Sequence, residues 1–357
     1  MEPSAAIVGG GVGGLAAAIA LRAGGWRVDV RERATALPAG GTALALWPFA
    51  LRALDTLGAG AAVRSLGRPQ TGGAFLRPDG RRIAPIDIAG LERRTGDTVH
   101  VLSRPALLRV LRETLGPGAV RLGAPVEGAE LPALEREYDV VIAADGINSR
   151  IRAALFGTGY RAVYSGTTGW RGTVAGDTGT VTETWGEGRR FGVTPQEGGR
   201  INWFAGAAAP EGARAAEGEV AVLRAWFGHW HAGVRDILDR LVEAEVLRHG
   251  LYHLAAPLPS YVLGRTALIG DAAHAMTPDL GRGACEALVD GVELAAALRA
   301  APDVPAALRA YDARRRPYTR RMARIARVMS RMARMRHCTG ARNAVLRAAL
   351  AVGGPPG

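Results

Sequence analysis

Gly9, Gly11 and Gly14 stand between a short apolar run at residues 5–8 and a strong helix-forming run at residues 15–23. That placement constrains the chain more than any other feature. The apolar run has no polar alternation, which suits a parallel strand buried on both faces. A helix that follows such a strand must cross over to a second parallel strand, here read at residues 26–30 after Gly24-Gly25. In G-x-G-x-x-G the first glycine allows a tight turn, the second lets a pyrophosphate reach the backbone, and the third packs helix on strand. The helix N-terminus then faces the phosphates. Glu32, eighteen residues after Gly14 at the end of the second strand, can accept hydrogen bonds from a ribose hydroxyl pair. Together these features imply a dinucleotide site. They leave NAD and FAD open, because both carry the same ADP half.

Further along, helical patterns at residues 48–57 and 105–115 are each closed by a glycine, and an apolar strand at 139–144 ends in Asp145-Gly146. Between about residues 160 and 209 the pattern becomes short runs at 180–185, 190–194 and 200–204 separated by Gly and Pro, the mark of antiparallel strands. A helical stretch is expected at 220–246, a buried strand at 267–270, and helices beyond. The 357 residues, 48% of them hydrophobic, are enough for roughly two domains and a buried core.

The charge balance is +12 and all 45 cations are arginine, with no lysine. No nucleic-acid motif accompanies that charge, and 6% aromatics are too few for base-stacking platforms, so no nucleic-acid partner is expected. Cys285 and Cys338 cannot build a disulfide framework, and no leader pattern precedes the strand at Ala5. With no long apolar run, a cytoplasmic location follows as the expectation.

Two segments make the reading specific. One is Asp139-Val-Val-Ile-Ala-Ala-Asp-Gly-Ile-Asn-Ser-Arg-Ile-Arg152. The other is Ala267-Leu-Ile-Gly-Asp-Ala-Ala-His-Ala-Met-Thr-Pro-Asp-Leu-Gly-Arg-Gly-Ala-Cys-Glu-Ala-Leu-Val-Asp290. With the N-terminal glycines, and with Ser103-Arg104-Pro-Ala-Leu107 and Gly166-Thr-Thr-Gly-Trp-Arg-Gly172, the chain resembles the FAD-dependent aromatic hydroxylases (class A flavin monooxygenases) over essentially its whole length.

That resemblance implies an α/β fold: a Rossmann-type FAD-binding domain interrupted by a mostly antiparallel β-sheet substrate domain, with C-terminal helices. The expected division is 1–70, 100–158 and 256–300 for the FAD domain, 71–99 and 159–255 for the substrate domain, and 301–357 for the helical segment. It implies bound FAD, NADH or NADPH as transient co-substrate, and O2. A flavin C4a-hydroperoxide would hydroxylate or epoxidise a small aromatic or heteroaromatic molecule. The cofactor-binding set would be Gly9, Gly11, Gly14, Glu32, Arg33, Arg104, Val126, Asp145, Asp271, Pro278, Gly281, Gly283 and Ala284. The helix beginning near Ala284 would turn its partial positive charge toward the pyrimidine edge of the flavin. No second dinucleotide loop and no metal-ligand spacing is evident. Two other functions share the motifs, a FAD-dependent dehydrogenase or reductase and a non-catalytic redox sensor.

Substrate contacts are expected from Trp170, Arg171, Arg190, Asn202, Trp203 and Phe204, with Leu44, Leu46 and Trp47 opposite. Within the family, Arg94-Thr-Gly96, Arg190 and Thr277-Pro-Asp-Leu-Gly281 look most like bacterial FAD-dependent urate hydroxylases, among the salicylate hydroxylase-like members. Asn202 stands where those have tyrosine, and Asp279 and Arg282 replace the usual Asn and Gln of the Pro-x-Leu-Gly-x-Gly loop. Arg190, Asp279 and Pro278 are the catalytic candidates. Asp279 is either a proton-handling group or a loop carboxylate paired with Arg282. Near the C-terminus Arg320, Arg324, Arg327, Arg331 and Arg334 recur at helical spacing opposite Met322, Ile325, Met329 and Met332. The favoured expectation docks the Met/Ile face on the FAD domain with the arginines in solvent; the alternative is a membrane-surface or partner helix. Monomer and homodimer are both open.

Overall fold

Strand Ser4–Val8 lies wholly buried at the centre of a six-stranded sheet, as an apolar run without alternation must. The sheet order is Val262–Leu263, Thr266–Leu268, Val140–Ala143, Ser4–Val8, Arg27–Glu32, Val120–Leu122, parallel except for the first pair. This is a computed structural model describing residues 2–36, 38, 41 and 43–353. Helices Val12–Ala23 and Gly283–Ala300 cross on the sheet, and they can approach because Gly291 faces the first of them: a Cβ there would stand 2.6 Å from the Ala17 nitrogen. The core they close includes Ile7, Leu15, Val141, Ile142, Leu268 and Leu288.

A second sheet of seven strands runs Leu247–Leu254, Ala162–Ala175, Arg200–Ala208, Arg189–Gln196, Val181–Trp185, Gly73–Leu76, Arg82–Ile86. It is antiparallel except where Val181–Trp185 meets Gly73–Leu76. One face carries Val174, Phe191 and Trp203, which pack with Leu223 and Phe227 of helix Glu219–Phe227 and with Val234 and Ile237 of helix Ala232–Asp239. The single helix expected at 220–246 is thus two, broken where Trp230 buries and His231 N–H donates to the Pro78 carbonyl. A three-stranded sheet of Ala43–Leu46, His100–Ser103 and Arg68–Pro69 joins the two halves.

The long helix Val304–Ala333 and helix Thr339–Gly353 complete the chain. Met322 is buried as expected, but Met329 and Met332 pack with Ile83, Trp185 and Leu346, which belong to the seven-stranded sheet and the last helix. The Met329 and Met332 end of the stripe therefore docks on the substrate sheet and the last helix rather than on the FAD domain. Its arginines are not uniformly in solvent either: Arg324 and Arg331 are exposed, whereas Arg320, Arg327 and Arg334 are half-buried. Among the described residues no helix is long and apolar enough to cross a membrane.

Candidate cofactor and substrate site

The glycine loop meets the end of strand Val140–Ala143. Gly9 adopts φ 111°, and a Cβ on it would collide with the Ala144 carbonyl; one on Gly14 would collide with the Gly9 carbonyl. Gly11 differs, with open space where its Cβ would be and no side-chain cap on the helix it begins. The first backbone N–H groups of that helix are thus left without a side-chain acceptor, and pyrophosphate oxygens can accept from them. Glu32 sits beside it, its carboxylate accepting from Gly10 N at 2.7 Å and Ala34 N at 2.8 Å, with lone pairs left for a ribose diol. Arg33 is exposed next to it. The Val126 side chain is only 6% exposed and lies in the core, so this residue can present backbone alone. Gly14→Val is expected to abolish FAD retention, checked as the ratio of visible flavin to protein absorbance in the purified protein.

Asp145 Oδ2 accepts from Arg150 N at 2.8 Å and Ile151 N at 3.2 Å, while its buried Oδ1 has no partner among the described residues. Asp271 follows Gly270, which takes φ 59° at the end of the strand, and its carboxylate is open to the cleft. Desolvation by the surrounding protein raises the Asp271 carboxyl above the ordinary range, against the pull of His274, Arg104 and Arg152. Gly283, at the start of its helix, faces Asp271: its Cβ would stand 3.9 Å from Oδ1. Pro278–Leu280 forms one tight turn ended by left-handed Gly281, and leads through Arg282 to Gly283 and Ala284. Arg104 is exposed at the N-terminus of helix Arg104–Leu115, close enough to Asp271 and Arg171 to act on both. An orphan carboxylate oxygen, an open glycine and an accessible acid, each just past the end of one of three adjacent parallel strands, make a donor and acceptor set that fits FAD. Arg152, not singled out from sequence, ties this region together, donating to Ala272 O at 3.0 Å and Ile147 O.

The seven-stranded sheet turns Arg171, Arg190, Asn202 and Phe204 to this side. Side chains alternate along a strand, and the register pairs Arg171 with Phe204, Thr173 with Asn202 and Arg190 with Gly206. The same rule removes two candidates: Trp170 (3% exposed) and Trp203 (1%) point the other way into the core under the helices. Trp170 Nε1 donates there to Glu219 at 2.7 Å. Leu46 is fully buried in the FAD-domain core and is likewise no pocket residue, whereas Leu44 and Trp47 are half-buried at its edge. Asn202 accepts from Ala43 N at 3.2 Å and donates to Thr194 Oγ1 at 3.0 Å, binding the small sheet to the large one. Phe204 lies over Gly192, where any Cβ would strike its ring.

Asp279 pairs with Arg190, not with Arg282. Asp279 Oδ1 is 2.9 Å from Arg190 Nη1, and both side chains are buried. Arg282 instead donates to Glu286 at 3.1 Å and Tyr318 Oη at 2.7 Å, and its guanidinium lies 4.2 Å from the Phe49 ring centroid. Glu183 approaches the same Arg190 at 3.4 Å; burial raises its carboxyl, and the arginine only partly offsets this. Asp279 Oδ2 is buried without a partner among the described residues.

His249, also missed from sequence, pairs across the sheet with Gly169 on the Arg171 face. Burial, then Arg171 and Arg248, push it down to about 4. A histidine with a folded pKa below its unfolded one, about 6.5, is protonated first in the unfolded chain, so stability is lost as pH falls from about 6.5 to about 4. His249→Gln should lose less of its melting temperature than the wild type across that window.

A sequence model of the family described as FAD binding domain matches residues 2–326. A protein named aurachin C monooxygenase/isomerase from Stigmatella aurantiaca is 36% identical over 321 residues, covering 86% of this chain and 83% of that one. A FAD-dependent urate hydroxylase from Klebsiella pneumoniae is 32% identical, covering 87% and 85%. The crystal structure of a Klebsiella pneumoniae protein complexed with FAD and uric acid superposes with a TM-score of 0.87 at 28% identity, over 97% of this chain and 93% of that one.

Proposed function

Because the chain belongs to the FAD-binding-domain family of FAD-dependent monooxygenases, we propose that it uses NADH or NADPH and O2 to hydroxylate a planar aromatic or heteroaromatic ring bearing an O–H or N–H donor. The observation that carries the substrate class is the unpartnered, buried Asp279 Oδ2 in the loop ahead of helix Gly283–Ala300. An orphan carboxylate oxygen in a dry site costs free energy until a donor reaches it. A ring O–H or N–H is such a donor. By accepting its hydrogen bond or its proton, Asp279 raises the electron density of the ring it orients. Arg190 is held by Asp279 and Glu183, which favours a neutral substrate over a carboxylate clamped by a free guanidinium. Phe204 and Gly192 offer a flat wall, and Asn202 and Arg171 stand on the same face.

When bound, FAD supplies hydride acceptance and oxygen activation. In this reading Gly9, Gly11 and Gly14 hold its pyrophosphate, Glu32 and Arg33 the adenosine end, and Asp145, Asp271 and Arg104 the middle. Residues 282–284 present backbone N–H groups to the ring system. The relatives with named substrates include a 3-amino-4-hydroxybenzoate 2-monooxygenase from Streptomyces cremeus, 34% identical over 343 residues, whose substrate name carries both an amino and a hydroxyl group. The test is NADH and NADPH oxidation by the FAD-loaded protein across phenols, purines and aminohydroxybenzoates, with isotopically labelled O2. Substrate-stimulated oxidation with label in the product is the expected result. Oxidation of the substrate without incorporated label would replace hydroxylation by dehydrogenation.

A further inference from the structure

Arg327, Arg331 and Arg334, one face of the end of helix Val304–Ala333, line a cavity of about 150 Å³ on the substrate-domain side. His253 and the hydroxyls of Ser165 and Ser330 line it as well, and no carboxylate does. Among the described residues none of the three arginines has an acidic partner within salt-bridge distance, whereas Arg190, Arg282 and Arg315 are each paired with a buried carboxylate. Like charges on successive turns repel, and the last-turn helix dipole offsets only part of that. Two of the arginines make local bonds: Arg327 donates to Leu254 O at 3.3 Å and Arg334 to Ser330 O at 3.4 Å. Most of their donors remain unused.

The floor of the cavity is independently unsatisfied. Ser165 is 9% exposed and its Oγ has no partner among the described residues; the buried Arg327 Nε has none either. His253 is depressed by burial; its bond to Leu254 O opposes this, and Arg327, Arg334 and Arg331 each add to the depression, so the field of all three cations reaches it. Buried polar groups left open beside uncompensated cations call for an anion that accepts from several directions.

We propose that this cavity binds a phosphoryl group, with Arg327, Arg331 and Arg334 as its cationic contacts and Ser165 Oγ as a buried donor. A phosphoryl group brings up to two negative charges and three acceptor oxygens, matching the guanidinium forks. The cavity adjoins the proposed substrate site. Ser330 and Arg334 also line the small space around Arg190 and Asp279, and Thr277, on the cavity wall, immediately precedes Pro278. The group is therefore supplied either by the nicotinamide co-substrate as it approaches the flavin or by a free phosphate. The first source rests on the monooxygenase reading; the site itself does not.

Calorimetry of the FAD-loaded full chain with inorganic phosphate tests the site without turnover. Arg331→Gln is the informative variant, since Arg331 is exposed and makes no hydrogen bond or ion pair among the described residues. Its phosphate affinity should fall at least tenfold with melting temperature and FAD content unchanged. Arg324→Gln, one exposed arginine further up the helix and outside the cavity, should bind phosphate as the wild type does. Phosphate that then inhibits flavin reduction by NADPH but not by NADH assigns the site to the co-substrate's extra phosphate, inhibition of both assigns it to the shared pyrophosphate, and inhibition of neither assigns it to free phosphate. No measurable phosphate binding, or equal weakening in Arg324→Gln and Arg331→Gln, overturns the proposal.

Discussion

Arg315→Met is expected to destabilise the protein by about 3–5 kcal/mol at neutral pH, the usual cost of removing one partner from a buried ionic network. Arg315 Nε donates to Asp290 Oδ1 at 2.6 Å and Nη2 to Glu286 Oε2 at 2.7 Å, and both carboxylates are 0% exposed. Asp290 Oδ2 accepts in turn from Gly270 N at 2.8 Å and His274 Nε2 at 2.6 Å. Without the arginine, two acids one turn apart on helix Gly283–Ala300 face each other in the core. Burial opposes ionisation of Asp290, but His274 and Arg315 outweigh it and hold the carboxyl well below its ordinary range. A depressed acid contributes stability above its unfolded pKa, about 3.9, and that contribution disappears as pH falls through the folded value. In Arg315→Met one of the two cations that hold Asp290 down is gone, so its carboxyl rises and takes up a proton at milder acidity than in the wild type. The gap to wild type in urea unfolding should therefore be widest near pH 8 and narrow toward pH 5; a gap of constant width would mean the network is not ionic. Flavin retention should weaken in parallel, because Asp290 holds the Gly270 N–H that sets the strand end before Asp271.

That network was invisible in the sequence for a definite reason. Arg315 lies in the run Arg314-Arg315-Arg316, which reads as a solvated charged face until burial separates the middle residue from its neighbours. The glycine loop and central strands were legible because a doubly buried parallel strand is an uninterrupted apolar run, and a close backbone contact leaves a glycine at a fixed spacing. Val120–Leu122 escaped notice, since three residues carry no period. In the substrate sheet the strands were legible but their faces were not. Trp170 and Trp203 were grouped with Arg171 and Asn202 by chemistry, although the alternation of strand side chains places adjacent residues on opposite faces. Parity alone would have set the tryptophans apart. No local pattern could have joined Asp279 to Arg190, because the pairing runs between a loop of one domain and a strand of the other. Glu183 and His249 were passed over for a related reason: each is an ordinary polar residue on a strand until the register gives it an arginine neighbour.

The Arg190–Asp279 pair joins the two domains at the proposed substrate position, and a double-mutant cycle should expose it. Arg190→Gln strands Asp279 as a buried carboxylate facing Glu183 without a cation, so a loss of about 3–5 kcal/mol is expected. If the same loss appears in the transition state, kcat/KM for the aromatic substrate falls by about two to four orders of magnitude. Glu183 is the lesser obstacle, since its carboxyl is already raised and can be protonated in place. Asp279 is left without the cation that pairs with it. Arg190→Gln/Asp279→Asn removes both halves together and should regain about 1–3 kcal/mol of stability over Arg190→Gln alone, a coupling typical of contacting residues. Activity should not return with it. The double variant lacks the carboxylate that accepts the substrate's O–H or N–H, and losing that proton acceptor costs about 10²–10⁴ in rate. A stable but slow double variant separates the two tasks of Asp279, pairing with Arg190 and orienting the ring. If the two substitutions were simply additive in stability, the pair would not be the connection between domains; if the double variant turned over at the wild-type rate, Asp279 would serve the loop alone.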